Sequence, residues 1–226
     1  MYILTTSQFP YPCIGMFRFL DLSIPSSPYY NEVIERLRAG EIFLDLGCCF
    51  GQELRQLAFD GAPSENLYGS DLRLDFMELG YDLFLDKDKL KSRFIASDIF
   101  DPASALLKEL SGKVDIIHTG SFFHLFDWDQ QVAIAKQAVS ILRHRPGSLI
   151  VGRQVGHVEA KEDPRRSGAG LRYKHNPESW QKLWDQVGSE TGSKWKVEAY
   201  AEPFNHGMRL VHDEGTIRLR FAVRRL

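Results

Sequence analysis

Ile42-Phe43-Leu44-Asp45-Leu46-Gly47-Cys48-Cys49-Phe50-Gly51 is the stretch on which the fold of this 226-residue chain turns. Glu41–Leu46 is a short apolar run that predicts a strand. Gln52–Phe59 predicts a helix, with Leu54, Leu57 and Ala58 facing inward and Gly61 ending the segment. Between them lies a glycine-bearing turn. Glycine lets a backbone turn sharply and approach a ligand closely. The N-terminus of the following helix offers N–H groups to an anion such as a carboxylate, and Asp45 is placed to accept from an ammonium, directly or through water. By itself such a turn equally fits a strand–helix connection that holds nothing.

Outward from this turn, strands and helices alternate. Pro28–Ala39 predicts a helix, with Val33, Ile34 and Leu37 on one face and Gly40 as its stop. Strands are expected at Asn66–Ser70, Phe94–Ser97, Val114–Thr119 and Ser148–Gly152. Helices are expected from Asp75 through Phe84, at Pro102–Leu110, from Asp127 to Arg143 and from Asn176-Pro177 onward. Asp75 with Glu78, and Asp127 with Gln130, have the spacing of a capping box. The third helix turns Val132, Ala135, Val139 and Leu142 inward, and the last turns Trp180, Leu183, Trp184 and Val187.

Two closing strands, near Lys196–Ala201 and Ile217–Arg224, follow one another without a helix and predict a hairpin. The last alternates Ile217, Leu219, Phe221 and Val223 inward with Arg218, Arg220 and Arg224 outward. The expected class is therefore α/β: a mainly parallel sheet covered on both faces, with an antiparallel ending. Val155–His175 predicts a long irregular loop, a length usually tied to function. Residues 1–27, rich in aromatics and prolines (Phe9, Pro10, Tyr11, Pro12, Phe17, Phe19, Pro25), predict an arm over the body and its active site. One domain over 1–226, with its core at 41–226, suits the length.

Composition narrows the class of function. With 43% hydrophobic residues the chain can bury a core, and a net charge of -2 argues against a nucleic-acid partner. Three cysteines, two of them adjacent, make neither a disulfide framework nor a zinc motif, and no metal site is expected. No targeting run or apolar stretch near the ~20 residues of a membrane span is visible. A cytoplasmic protein is the expectation.

In an open parallel sheet, ligands sit at the carboxyl ends of the strands. The second strand ends in Tyr68-Gly69-Ser70-Asp71-Leu72, where an acidic residue can hold ribose hydroxyls. The third ends in Ala96-Ser97-Asp98-Ile99-Phe100, where a carboxylate can accept from an adenine amino group and Ile99 can pack on the ring. Each aspartate alone would serve as well as a turn cap; three acidic strand ends in order point to a nucleoside ligand. The fourth ends in His118-Thr119-Gly120-Ser121-Phe122-Phe123-His124-Leu125-Phe126, an aromatic wall with one histidine. At least two of those phenylalanines read as plain core. His124 is a candidate general base, although a lone histidine is more often structural. Arg153, in Gly152-Arg153-Gln154 after the fifth strand, can hold a carboxylate in a bidentate contact. Arg172, Tyr173, Lys174 and His175 are further candidates, more simply read as solvated basic surface.

Taken in order, Asp45-Leu-Gly-Cys-Cys-Phe-Gly51, Gly69-Ser-Asp71-Leu, Ser97-Asp98-Ile and Gly120-Ser-Phe-Phe-His124-Leu-Phe-Asp-Trp128 resemble class I S-adenosylmethionine-dependent methyltransferases. More narrowly, the chain resembles the fungal secondary-metabolite methyltransferases that esterify a carboxyl group of meroterpenoid intermediates. Tyr11-Pro-Cys-Ile-Gly-Met-Phe-Arg-Phe-Leu20, Asp60-Gly-Ala-Pro-Ser-Glu-Asn-Leu-Tyr68 and Pro146-Gly-Ser-Leu-Ile-Val-Gly-Arg-Gln-Val155 share in that likeness, which covers nearly the whole chain. The resemblance implies a Rossmann-like fold with a seven-stranded sheet and allows a homodimer. It implies cofactor contacts at Gly47, Asp71, Leu72, Asp98 and Ile99. Asp45, Cys48, Gly51 and Gly120 complete the candidate cofactor set. Two departures stand out: Cys49 occupies a position where the general class often has glycine, and the segment before Tyr11 is short for the family.

The activity this implies is O-methylation of a small, apolar carboxylic acid by in-line displacement, with His124 and Arg153 as candidate catalytic residues. A carboxylate is ionised at neutral pH, so it needs no strong base; a phenol acceptor would raise the weight of His124. Three alternatives stay open on sequence: an NAD(P)-dependent oxidoreductase, against which the missing G-x-G-x-x-G and the final hairpin count; an inactive, methyltransferase-like binding protein; and a protein or RNA methyltransferase.

Overall fold

The structure, a computed structural model, describes residues 12–165, 170–203 and 214–226; Phe9, Pro10 and Tyr11 of the expected arm lie outside them. The chain divides into two compact units, Met1–Glu109 and Leu110–Leu226.

In the first unit, α1 (Pro12–Gly15) and a 3-10 turn (Arg18–Leu20) precede α2 (Tyr30–Arg38), β1 (Phe43–Leu46), α3 (Gln52–Phe59), β2 (Leu67–Asp71), α4 (Leu74–Phe84), β3 (Arg93–Ala96) and α5 (Ala105–Leu110). β1 pairs in parallel with β2, and β2 with β3. All four residues of β1 are buried, as a strand covered on both faces requires. The arm is tied down by chemistry that the sequence did not suggest. Glu53, 4% exposed on α3, accepts from the backbone amides of Ser23 and Ile24. Ile14 and Phe19 pack with Phe50 and Phe76.

The second unit holds β4 (Ile116–Gly120), α6 (Trp128–Ile141), β5 (Leu149–His157), β6 (Lys161–Pro164), β7 (Leu171–Lys174), α7 (Pro177–Thr191), β8 (Trp195–Pro203) and β9 (Thr216–Arg225). β4 and β5 are parallel, while β9 runs antiparallel to both β5 and β8. The large sheet has seven strands in the order β3-β2-β1-β4-β5-β9-β8, and β6-β7 form a separate hairpin. This is the expected α/β class. α7 carries the predicted inward set: Trp180, Leu183, Trp184 and Val187 are all at most 1% exposed. Each such side chain contributes about 1.5–3 kcal/mol by leaving water. Among the described residues, no helix is long and apolar enough to cross a membrane.

Four expectations are corrected. Asp75 caps nothing: α4 begins after Arg73, which makes no side-chain cap, and Asp75 sits in the first turn paired with the Arg73 guanidinium. The other proposed box is half present, since Asp127 accepts from Gln130 N at 2.9 Å. Residues 155–175 are not an irregular loop. β5 runs on to His157, and Lys161–Pro164 and Leu171–Lys174 pair as the antiparallel strands β6 and β7, in which Asp163 pairs with Lys174 at 2.5 Å. Arg220 does not face solvent; it is 6% exposed and bonded to Glu202 at 2.9 Å. Lys174 and His175 are not a solvated surface either, at 1% and 0% exposure.

His175 joins three elements. Its Nδ1 meets Ser179 Oγ at 2.9 Å, and its Nε2 meets Gln131 Oε1 at 3.1 Å. Burial lowers its pKa to about 3, so the native ring stays neutral while the unfolded chain's histidine takes up a proton as the pH falls below its ordinary value near 6.5. The unfolded state then binds more protons, and stability falls with acidification from about pH 6.5 toward pH 3, by up to about 1.4 kcal/mol per pH unit. Urea unfolding of wild type and His175→Gln between pH 7 and 4 checks this: the variant starts less stable and loses stability with a shallower slope.

Candidate functional site

The turn after β1 is held from β2. The Ser70 carbonyl accepts from Gly47 N at 2.8 Å and from Cys48 N at 3.0 Å. The Asp71 carboxylate accepts from Cys49 N at 2.9 Å through Oδ2 and from Arg73 N at 3.1 Å through Oδ1. Gly51 N closes back on Cys48 O at 2.7 Å. The amides of Gly47, Cys48, Cys49 and Gly51 are thus all engaged within the protein. Beyond them the chain enters the first turn of α3 at Gln52. Left-handed backbone is needed three times, at Gly47 (φ 82°), Cys49 (φ 52°) and Gly51 (φ 71°). Cys49 holds a conformation suited to glycine, and its side chain packs at the edge of the Ile14–Phe19–Phe50–Phe76 cluster.

Arg55, for which the sequence predicts no role, fastens the turn from behind. Its guanidinium pairs with both oxygens of Asp86 at 2.7 and 2.9 Å, donates to the carbonyls of Phe50 and Gly51, and lies 4.5 Å from the Phe84 ring centroid. Its one signal in the sequence is its place one helical turn after Gly51. Close packing completes the frame: a Cβ on Gly80 of α4 would stand 2.3 Å from Phe50 O.

The candidate cofactor residues of the first unit divide by exposure. Asp45 is 2% exposed and Cys48 is fully buried. Burial, with the Asp45 and Asp71 carboxylates nearby, pushes the Cys48 thiol well up. It is therefore no thiolate nucleophile or redox centre at neutral pH, and its amide belongs to Ser70. Asp71 is half-buried, and desolvation raises its carboxyl above the usual range, opposed by the amides of Cys49 and Arg73. These backbone amides leave a carboxylate with lone pairs to accept from hydroxyls. Leu72 beside it is 66% exposed, an apolar surface free of core duty. Asp98 is exposed, with Oδ1 accepting from Phe100 N at 2.9 Å, and Ile99 is 5% exposed. The turn-cap role that each aspartate could play is real, and in Asp71 it coexists with remaining acceptor capacity. A ribose diol on Asp71 and an apolar ring on Leu72 fit this geometry.

In the second unit, Gly120 ends β4, and Ser121 N donates to Arg153 O at 2.7 Å. His124 lies in a 3-10 turn (Phe123–Leu125) at 9% exposure. Phe123 is core, 5.1 Å from Trp180, whereas Phe122 and Phe126 are half-buried. Arg153 is 8% exposed and stands opposite Arg220 across the β5–β9 pair.

No protein-family model matches the chain. It is 51% identical over 219 residues, 97% of its length and 78% of the relative's, to the asnovolin E/chermesin D methyltransferase nvfJ of Aspergillus novofumigatus. The chain belongs to the fungal O-methyltransferases of secondary-metabolite pathways. The O-methyltransferase phiE of a fungal species is 54% identical over 190 residues, which is 84% of this chain but 63% of that protein. The methyltransferase fold also matches the phosphoethanolamine methyltransferase 2 of Haemonchus contortus, a structure holding S-adenosylhomocysteine. That match has a TM-score of 0.65 at 12% identity and covers 99% of this chain and 60% of that one.

Asp71→Ala removes the pin on Cys49 N together with a carboxylate that keeps acceptor capacity. Its affinity for S-adenosylhomocysteine, read by calorimetry, is expected to fall at least about tenfold. Cys49→Gly, which suits the left-handed backbone, is expected to bind within about twofold of wild type, whereas β-branched Cys49→Val loses about 1–3 kcal/mol of stability.

Proposed function

We propose that this chain transfers the methyl group of S-adenosylmethionine to a carboxyl oxygen of a small, apolar acid of the meroterpenoid class. The observation that carries the donor side is the Asp71 carboxylate, held at the end of β2 with acceptor capacity left beside exposed Leu72. The acceptor class is supported by a relative at 51% identity whose name specifies asnovolin E and chermesin D.

S-adenosylmethionine supplies an electrophilic methyl group on a sulfonium. Asp71 holds ribose hydroxyls, Leu72 and Ile99 flank the adenine, and Asp98 accepts from its amino group; Asp45, Gly47, Cys48 and Gly51 shape the turn beneath. Gly120, Phe122 and Phe126 bound the acceptor side. Arg153 supplies positive charge that draws the anionic acid to the site. Because a carboxylate with a pKa near 4 is already ionised at neutral pH, the protein need abstract no proton, and alignment supplies most of the rate. His124 is then a wall residue rather than a base. We also propose a single domain over 1–226 with the described arm residues 12–27 covering the site, a homodimer, and the cytoplasm as the compartment.

Incubation with methyl-labelled S-adenosylmethionine and either asnovolin E or chermesin D, followed by mass spectrometry, tests the reaction; label in an ester is expected. His124→Ala is expected to keep turnover within about tenfold of wild type. A loss beyond about a hundredfold would assign it the general-base role, whose worth is about 10²–10⁴, and would point to a phenol acceptor.

A further inference from the structure

Gln154 stands on β5 at 3% exposure, and neither the oxygen nor the nitrogen of its carboxamide has a hydrogen-bond partner. Each polar group enclosed in this way costs on the order of 1–3 kcal/mol, and native proteins keep few of them. The surroundings of Gln154 show why this one is maintained.

Side chains alternate along a strand, so Gly152, Gln154 and Gly156 share one face of β5. The two glycines let other backbones come in where side chains would stand. A Cβ on Gly152 would lie 2.3 Å from Thr119 O, and one on Gly156 would lie 2.2 Å from His175 O. No neighbouring side chain of β5 therefore flanks the carboxamide on its own face. Thr119 Oγ1, 2.8 Å from that same position on Gly152, is also enclosed and unpartnered. Opposite Gly152 in register is Phe221, whose ring centroid lies 4.5 Å from that of Trp180, and the Trp180 indole nitrogen is unpartnered too. One face thus combines an aromatic wall with a carboxamide, a hydroxyl and an indole N–H, none of them satisfied by the protein.

We propose that Gln154 is a specificity-determining residue that positions the acceptor. Its Nε2 donates to the carboxyl oxygen that is not methylated, and the neighbouring rings take the apolar frame. Gln154 neither gives nor receives a proton; it orients the acid. This inference rests on the carboxyl O-methylation proposed above.

Gln154→Met keeps the volume and removes the polar atoms. If the carboxamide is unpaired in the free protein, the variant melts at the same temperature as wild type or higher. Its KM for asnovolin E rises at least about tenfold, the discrimination expected when a ligand group loses its partner, while its affinity for S-adenosylhomocysteine stays within about twofold. Gln154→Glu, which turns an acceptor toward the acid, raises KM further than Met does. A KM for Gln154→Met within about twofold of wild type overturns the proposal. So does a melting temperature several degrees lower, which would show that the amide is satisfied inside the protein, for example by a sealed water. Failure of wild type to methylate asnovolin E or chermesin D would instead sink the acceptor reading, and the melting comparison would still decide whether Gln154 is unpaired.

Discussion

The end of β2 is the constraint on which the donor half of this protein depends. One carbonyl, of Ser70, and one carboxylate, of Asp71, take three successive amides of the turn after β1. With those bonds made, the chain has a single way forward: left-handed at Gly47, Cys49 and Gly51, then into α3. The same bonds place Phe50 against Phe19 and Phe76, with ring centroids 4.9 and 5.8 Å away. Arg55 then grips the Phe50 and Gly51 carbonyls from the first turns of α3. Structure and chemistry meet in one side chain, because Asp71 both pins the turn and retains the capacity to accept a ribose hydroxyl.

Much of this was legible in the sequence, for identifiable reasons. α3 begins and ends where the apolar period and the flanking glycines put it, and α7 opens at Asn176-Pro177 with its tryptophan face buried. The closing hairpin followed from two strands with no helix between them. These are local signals, with periodicity and turn chemistry agreeing. What stayed hidden depended on partners distant in sequence. Lys174 pairs with Asp163 across two short strands, Lys161–Pro164 and Leu171–Lys174, where a loop was expected. The bond from Glu202 lets Arg220 go under cover, against the alternation that put arginine outside. The Asp75–Glu78 spacing misled because Arg73 competes for the Asp75 carboxylate.

The candidate site shows the same division. The acidic strand ends were readable because position in a parallel sheet assigns them a role. That the turn's amides serve Ser70 and Asp71 was not readable, since residue type says nothing about where an N–H points. On the acceptor side, Arg153 and His124 were chosen by chemistry alone. Gln154 was overlooked because a carboxamide in a strand carries no pattern, yet it is buried with both polar atoms unpartnered. Family membership, from the relative at 51% identity, then selects methyl transfer among the chemistries a nucleoside-binding sheet can host.

The central claim is that the site built on Asp71 takes S-adenosylmethionine and no other nucleoside cofactor. Calorimetric titration of the protein with S-adenosylmethionine, S-adenosylhomocysteine, NADH and NADPH tests it most directly. Saturable binding of the two sulfur nucleosides, with neither nicotinamide cofactor competing, is the predicted result. Tight binding of a nicotinamide cofactor with no heat from S-adenosylmethionine would contradict the account.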